Sequence, residues 1–260
     1  MEANDNCRFL QQLEALFDEL TNEAKEFTEL PDLFQPIMHV ILLVWTHSRN
    51  YNTPSRLVVL IREICNAIIS QSCRFINKET IFNLISEDTP GEALTKLSIA
   101  FDVSAKFKEA YFEYKAKANN TWKIMTNALF IRLDAFMERC QDIMHFTETI
   151  VQFNKLSKID IGSSKGSELT ATIGVIFGEF LRTVEKFKEV KYDIMNIAMR
   201  EFDDDFYGFR QRIKELERRL AAVLTQAFDD CDTIEGKFKL LDSFEGLLTR
   251  PIIQDELEKK

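Results

Sequence analysis

The sequence predicts an all-α protein, an elongated bundle of long antiparallel helices, and three observations support this prediction. The 260 residues include only 8 Gly and 5 Pro, whereas average usage would give roughly 31 of the two together. Phe is frequent, with 22 residues against 5 Tyr and 2 Trp. Apolar residues recur at spacings of three and four along most of the chain, which is the helical period. The scarcity of turn residues excludes a β-sandwich or barrel of short strands.

Prolines and polar clusters divide the first half of the chain into helices. The predicted helical segments lie at residues 9–27, 36–45, 56–75 and 94–114. Pro36 is placed in the first turn of its helix, because a first-turn residue has no N–H bond to lose. The polar residues 115–120 are predicted to form a connection. We therefore expect two domains, a helical subdomain of residues 1–118 and a long-helix bundle of residues 119–260.

The second predicted domain begins with two long helical patterns, at residues 122–156 and 167–190. Gly174 and Gly178 lie four apart in the second pattern, and this spacing predicts a close helix crossing. Between the two patterns lies a glycine-rich patch in which isoleucines alternate with polar residues. A short β-hairpin near residues 158–167 is compatible with that alternation.

The most regular periodicity lies between residues 202 and 227. Apolar residues alternate steps of four and three there, at Phe202, Phe206, Phe209, Ile213, Leu216, Leu220, Val223 and Ala227. This heptad pattern predicts coiled-coil-like packing. Three acids, Asp203, Asp204 and Asp205, occupy the first turn, where the helix dipole favours negative charge. A further amphipathic helix is predicted to begin at Ile234 and to continue to Leu248.

Composition limits the classes of partner. The formal net charge is −9, which argues against a general nucleic-acid binder. The apolar run at residues 37–45 is half of the roughly 20 residues that cross a bilayer, and the first seven residues are polar, so neither a membrane span nor a signal peptide is predicted. The five cysteines contain no CxxC pair, and their odd number favours free, buried thiols in a reducing compartment.

No cofactor-binding or metal-binding site is predicted. The segment 162–167 offers Gly, Lys and Ser ahead of a helix, but three residues separate its glycines and Lys165 precedes the second one. A phosphate-binding P-loop needs four residues there, followed by Gly-Lys-Ser/Thr. The acidic clusters at residues 203–205 and 229–232 are not followed by the Gly and Glu of an EF-hand loop. A plain turn and helix-end charges account for these segments.

No catalytic site is predicted either. The chain contains His39, His47 and His145, and their spacing is not that of metal ligands. The enzymatic alternative is a nucleophilic Cys140 paired in space with a histidine such as His145. Cys140 falls on an apolar stripe, however, so the alternative has no positive support.

Several stretches of the sequence carry a resemblance to a known family, and the resemblance is strongest over the last sixty residues. They are Tyr51–Arg56, Glu63–Asn66, Arg132–Asp134, Glu201–Arg210, Lys214–Leu220, Gln226–Cys231, Phe238–Leu248 and Arg250–Leu257. Together they closely resemble the tail of an axonemal dynein heavy chain. The segment Phe202–Tyr207 is most similar to an outer-arm heavy chain. The resemblance extends over most of the chain.

The resemblance implies a non-catalytic tail module of a minus-end-directed ciliary motor, which assembles and anchors axonemal dynein in cilia and flagella. The ATPase ring with its P-loop and the microtubule-binding stalk would lie outside this chain, so it is not expected to be an enzyme or to bind a cofactor. The implied location is the cytoplasm, cytoskeleton and axoneme of the cilium. The C-terminal end is expected to be truncated relative to the family, so that the chain is either a fragment or a short independent relative.

The resemblance also implies partners. These are other dynein heavy chains and WD-repeat intermediate chains, with axonemal docking proteins and the doublet microtubule reached indirectly, and neither nucleic acid nor membrane. A regulator that mimics the tail and competes for intermediate chains is the alternative function. Candidate partner-binding residues are Trp122, Arg212, Glu215, Arg218 and Arg219. The alternative for the four charged residues is a solvated helix face.

Overall fold

The computed structural model describes residues 2–76, 90–119, 121–124, 126–158, 166–231 and 233–258. The regular structure in these ranges is helical, with no strand, and the all-α prediction is confirmed. Residues 159–165 of the suggested hairpin lie outside the described residues, and the flanking Lys158 and Gly166 are helical. The chain packs as two units, Met1–Met144 and His145–Lys260.

Unit one is built around four long helices. Its elements are α1 (Glu2–Thr21), a 3-10 turn (Phe27–Glu29), α2 (Pro31–His47), α3 (Pro54–Ile76), α4 (Pro90–Lys117), α5 (Thr126–Leu129) and α6 (Ile131–Asn154) as far as Met144. Helix α2 packs on α1 and α4, and α3 packs on α4. The predicted place of Pro36 is wrong, because α2 begins at Pro31 and Pro36 lies inside the helix. Pro36 therefore has no N–H to donate to the carbonyl of Asp32.

Buried aromatic rings form the centre of unit one. Phe107 meets Phe34 edge-on, with ring centroids 5.3 Å apart, and Tyr111 lies 5.1 Å from Phe130 and 5.7 Å from Trp122. Trp122 lies outside any helix, and α6 begins at Ile131, so the single helix predicted from residue 122 is wrong. Trp122 and Phe130 are both buried, and the chain breaks its helical path where the two side chains enter this cluster.

Unit two contains the predicted heptad helix. Its elements are the rest of α6, a 3-10 turn (Lys155–Lys158), α7 (Gly166–Lys188), α8 (Glu201–Asp229), α9 (Ile234–Leu248) and α10 (Pro251–Leu257). Helix α8 packs against α7 and α10, and α9 contacts α8 and α10. All eight residues of the predicted heptad seam are buried, which confirms it. Phe146 packs against Phe187 and Phe209, at centroid distances of 4.6 and 4.7 Å.

The two glycines of α7 do not mark a close helix crossing. A Cβ built on Gly174 or on Gly178 would meet no atom of a neighbouring element within 4 Å among the described residues. The prediction from their spacing is therefore wrong. Gly174 is exposed and Gly178 is half-buried, so neither glycine lies at a close contact with a neighbouring helix.

Candidate partner interface

Three of the charged residues predicted to bind a partner belong to one ion-pair network between α7 and α8. The guanidinium of Arg212 lies 2.5 Å from Glu179 and 2.5 Å from Glu215, and that of Arg219 lies 2.7 Å from the same Glu179 oxygen. Glu179 is in α7 and the others are in α8. One carboxylate of α7 thus accepts hydrogen bonds from two arginines that lie two helical turns apart on α8.

The network changes the proton affinity of its members. The hydrogen bond from Arg219 holds the pKa of Glu179 below its usual range, and the charges of Arg219, Arg212 and Arg182 act in the same direction. The same hydrogen bond raises the pKa of Arg219. Both groups are therefore fully charged at neutral pH, and the network ties α7 to α8 through opposite charges.

The fourth predicted charge, Arg218, lies outside this network. Arg210, Lys214 and Arg218 are exposed and recur every four residues, which places them on one face of α8. We call these three residues the α8 ridge. Tyr207, 65% exposed, lies at its N-terminal end. The α8 ridge carries no ion pair among the described residues, so it presents three cations to solvent on a protein of net charge −9.

The fifth predicted residue, Trp122, is placed in the core of unit one. Its side chain is fully buried, and its ring lies 6.3 Å from that of Trp45 in an edge-on arrangement. The indole N–H of Trp45 donates to the Thr121 hydroxyl at 3.0 Å. Trp122 is therefore a core residue that packs against the surrounding aromatic side chains.

Unit one also carries an apolar groove between α1, α2 and α3. Its volume is about 510 Å³, within the range of about 300–1,000 Å³ that is typical of ligand pockets. Its walls include Leu10, Val44 and Val59, and its polar lining includes Arg56 and Glu63. The Arg56 guanidinium lies over the Tyr51 ring, 5.0 Å from the centroid. The groove therefore offers apolar contact area with few polar groups.

A buried arginine organises the C-terminal part of unit two, and the sequence analysis did not single it out. Arg250 is 8% exposed and pairs with Glu217, which is 4% exposed. Arg250 also donates to the Gln152 side-chain oxygen at 2.5 Å and lies 5.5 Å from the centroid of Phe153. The sequence does carry a signal for the burial of Glu217. Ala221 and Leu224 follow it at steps of four and three, so Glu217 lies in a second apolar row of α8, and all three residues are buried.

The environment of Cys140 and Cys65 disfavours the thiolate form of these two thiols. Cys140 is fully buried, and burial raises the pKa of its thiol, so the thiolate that a nucleophile requires is suppressed. Burial likewise raises the pKa of Cys65 to about 12. Burial, with the nearby Arg250 and Arg210, lowers the pKa of His145, and its ring packs edge-on against Phe206 at 6.5 Å. Cys7, by contrast, is exposed.

Among the described residues, no group of three or more His, Cys, Asp or Glu side chains is arranged to hold a metal ion. Of the helices described, none combines the length and the apolar content that a membrane span requires.

Comparisons with known proteins identify the family. The whole chain, residues 1–260, matches the family model of the dynein heavy chain, N-terminal region 1. The chain is 48% identical over its full length to the dynein beta chain of the flagellar outer arm of Chlamydomonas reinhardtii, and it covers 6% of that protein. It is 36% identical over its full length to a ciliary dynein beta chain of Tripneustes gratilla, again covering 6%. Human axonemal dynein heavy chain 17 is 32% identical over 98% of the chain, which covers 6% of it.

The three relatives are all flagellar, ciliary or axonemal dynein chains. The match to the family model covers every residue of the chain. The chain therefore belongs to the dynein heavy chain family, within the N-terminal region of those proteins.

Proposed function

We propose that this chain is a non-catalytic module of the axonemal dynein tail, which contributes to the assembly and anchoring of the dynein arm in cilia and flagella. The observation that carries the proposal is the full-length match to the N-terminal region of dynein heavy chains, with 48% identity to a flagellar outer-arm beta chain. The proposed location is the axoneme, within the cytoskeleton of the cilium. The proposed partners are other heavy chains and WD-repeat intermediate chains, with docking proteins and the doublet microtubule reached indirectly.

The charges of α8 support a partner surface on unit two. Arg212 and Arg219 are engaged with Glu179, and Glu215 pairs with Arg212, whereas Arg218 belongs to the exposed α8 ridge. We assign the first contact with an acidic partner to the ridge and a positioning role to the network beneath it. Trp122 has a similar positioning role in unit one, where it packs under Trp45.

The environment of the thiols supports a non-catalytic role. The enzymatic alternative requires an accessible thiolate at Cys140, and burial both covers this thiol and raises its pKa. The charged side chains of the network and of the α8 ridge are engaged in ion pairs or exposed to solvent, and such groups contribute to recognition.

The test is incorporation into outer arms. A tagged chain is expressed in Chlamydomonas reinhardtii, the outer arms are extracted from flagella, and cosedimentation of the chain with the arms is measured. We expect cosedimentation, and we expect Arg218→Glu to weaken it. Lys106→Glu, which reverses an exposed charge on α4, is the matched control and should leave it unchanged. A chain that stays in the supernatant while intact arms are recovered would contradict the proposal, and displacement of the native heavy chain by excess chain would support the competing regulator instead.

A further inference from the structure

Helix α9 has two apolar faces, and unit two covers one of them. Leu240, Phe244 and Leu247 are buried. Ile234 and Phe238 are 77% and 63% exposed, although both belong, with Leu241 and Phe244, to one row of apolar residues at steps of three and four. Leu241, one turn further on, is half-buried. We call Ile234, Phe238 and Leu241 the α9 stripe, since steps of four and three place them on one face.

The α9 stripe is held on a fixed element. The Thr233 hydroxyl caps the helix by accepting a hydrogen bond from the Gly236 backbone N–H at 3.1 Å. The Lys237 ammonium lies 4.6 Å from the centroid of the Phe228 ring in α8. Two large apolar side chains on consecutive turns of a capped helix form a preorganised contact surface, which lowers the entropic cost of binding.

The charges beside the α9 stripe indicate the chemistry of what covers it. Glu235 and Asp242 are exposed on one side of the stripe, the exposed Glu245 follows Leu241 by one turn, and Lys239 forms an ion pair with Glu235 at 2.8 Å. These three acids and one lysine carry a net charge of −2. Lys237, on the other side, is directed to the Phe228 ring. An apolar stripe bordered by acids favours a helix whose own apolar stripe is bordered by Lys or Arg, as in heptad pairing.

We propose that the α9 stripe binds a basic amphipathic helix of another dynein-arm subunit, with apolar residues at i, i+4 and i+7 against Phe238 and its neighbours. The proposal deepens the proposed function, because it names a surface and the chemistry of its partner. The exposed area is apolar and helical, which suits helix-on-helix recognition. The acids beside it repel anionic lipid headgroups, so a membrane surface is disfavoured.

The first experiment measures binding of a synthetic helix to the full chain by fluorescence anisotropy. The probe carries Leu at i, i+4 and i+7 with Lys on both sides, and its twin carries Glu in place of Lys. We expect the basic probe to bind at least tenfold more tightly than its twin. Phe238→Ser should weaken the binding of the basic probe by about tenfold to a hundredfold, which is the change in affinity expected when one aromatic side chain is no longer buried. Val175→Ser, at a side chain 57% exposed on α7, is the matched control and should bind like the unchanged chain.

Three results would overturn the proposal. The two probes bind equally, the Phe238→Ser chain binds the basic probe as tightly as the unchanged chain does, or the chain binds vesicles of phosphatidylcholine and phosphatidylserine in a way that depends on Phe238. The second experiment compares the cosedimentation of the Phe238→Ser and Val175→Ser chains with outer arms. We expect Phe238→Ser to cosediment less. If both variants cosediment equally with the arms, the binding role of the α9 stripe is refuted and the proposed tail function stands. If the unchanged chain does not cosediment at all, the proposed tail function is refuted, and the probe measurement alone tests the binding role of the α9 stripe.

Discussion

The Arg250→Met substitution tests whether the buried ion pair holds unit two together. Arg250 directly precedes α10, whose first residue is Pro251. Its guanidinium reaches Glu217 of α8 and Gln152 and Thr149 of α6. Met keeps most of the aliphatic volume of arginine, so the substitution removes the charge while it preserves packing. We expect the free energy of unfolding of unit two to fall.

The magnitude follows from what the substitution leaves behind. Glu217 is 4% exposed, so its carboxylate would remain buried without its cation. Removal of one member of a buried ion pair costs about 3–5 kcal/mol. Gln152 is half-buried and can turn to water, and the Thr149 hydrogen bond is long, at 3.4 Å. The uncompensated charge of Glu217 therefore dominates the loss.

The assay is urea unfolding followed by circular dichroism, with hydrogen exchange of the α8 and α10 amides as a direct report on unit two. Glu217→Leu alone should cost as much, because it leaves Arg250 buried and unpaired. The double variant should regain most of the loss, since an apolar pair replaces a buried ionic one at little cost or with a gain. The control pair is Glu235 and Lys239, whose side chains are 79% and 75% exposed. Its disruption should cost only about 0.3–0.5 kcal/mol.

The reasoning is refuted if Arg250→Met alone costs less than about 1 kcal/mol, the ordinary effect of a single substitution. It is also refuted if the losses of the two single variants simply add in the double variant, because a paired site must show coupling.

Three further predictions concern charge, thiols and the core. The pKa of Glu179, lowered by the hydrogen bond from Arg219, should rise in Arg219→Leu when it is followed by NMR; the stabilisation from this pair is present at neutral pH and lost as the pH falls through the folded-state pKa, and an unchanged value would contradict the pairing. Iodoacetamide should label exposed Cys7 and spare buried Cys140 in the folded protein, and equal labelling would show that Cys140 is accessible. Trp122→Ala should lower the free energy of unfolding by about 3–5 kcal/mol, and a urea midpoint like that of the unchanged chain would contradict a core position.

The helices of unit two were largely predictable because their signal is local. The alternation of steps of four and three fixes which side of α8 is buried, and α8 begins at Glu201, one residue before the first apolar position, Phe202. Acids in the first turn stabilise that end through the helix dipole. The predicted bounds of α9, Ile234 and Leu248, are those observed.

The errors occur where tertiary packing outweighs the local pattern. Residues 122–156 carry one continuous helical period, but Trp122 and Phe130 are drawn into the aromatic cluster of unit one, and α6 begins only at Ile131. Pro36 is a helix breaker by local rules, yet α2 continues through it, since Phe34 and Ile37 on either side are buried. In both cases burial of large side chains compensates for the lost backbone hydrogen bond or the broken helix.

The fold class, the positions of most helices and the resemblance to dynein tails were predictable from the amino-acid sequence, because they depend on the period and identity of neighbouring residues. Which charged and apolar side chains are buried or paired within the chain depends on the packing of the helices. Arg250 and Glu217 are 33 residues apart, and their pairing follows from the packing of α10 on α8. Ile234 and Phe238 belong to the same sequence pattern as Phe244, but only Phe244 is buried. A helical pattern tells which side chains share a face, and the neighbouring helices decide which faces are covered.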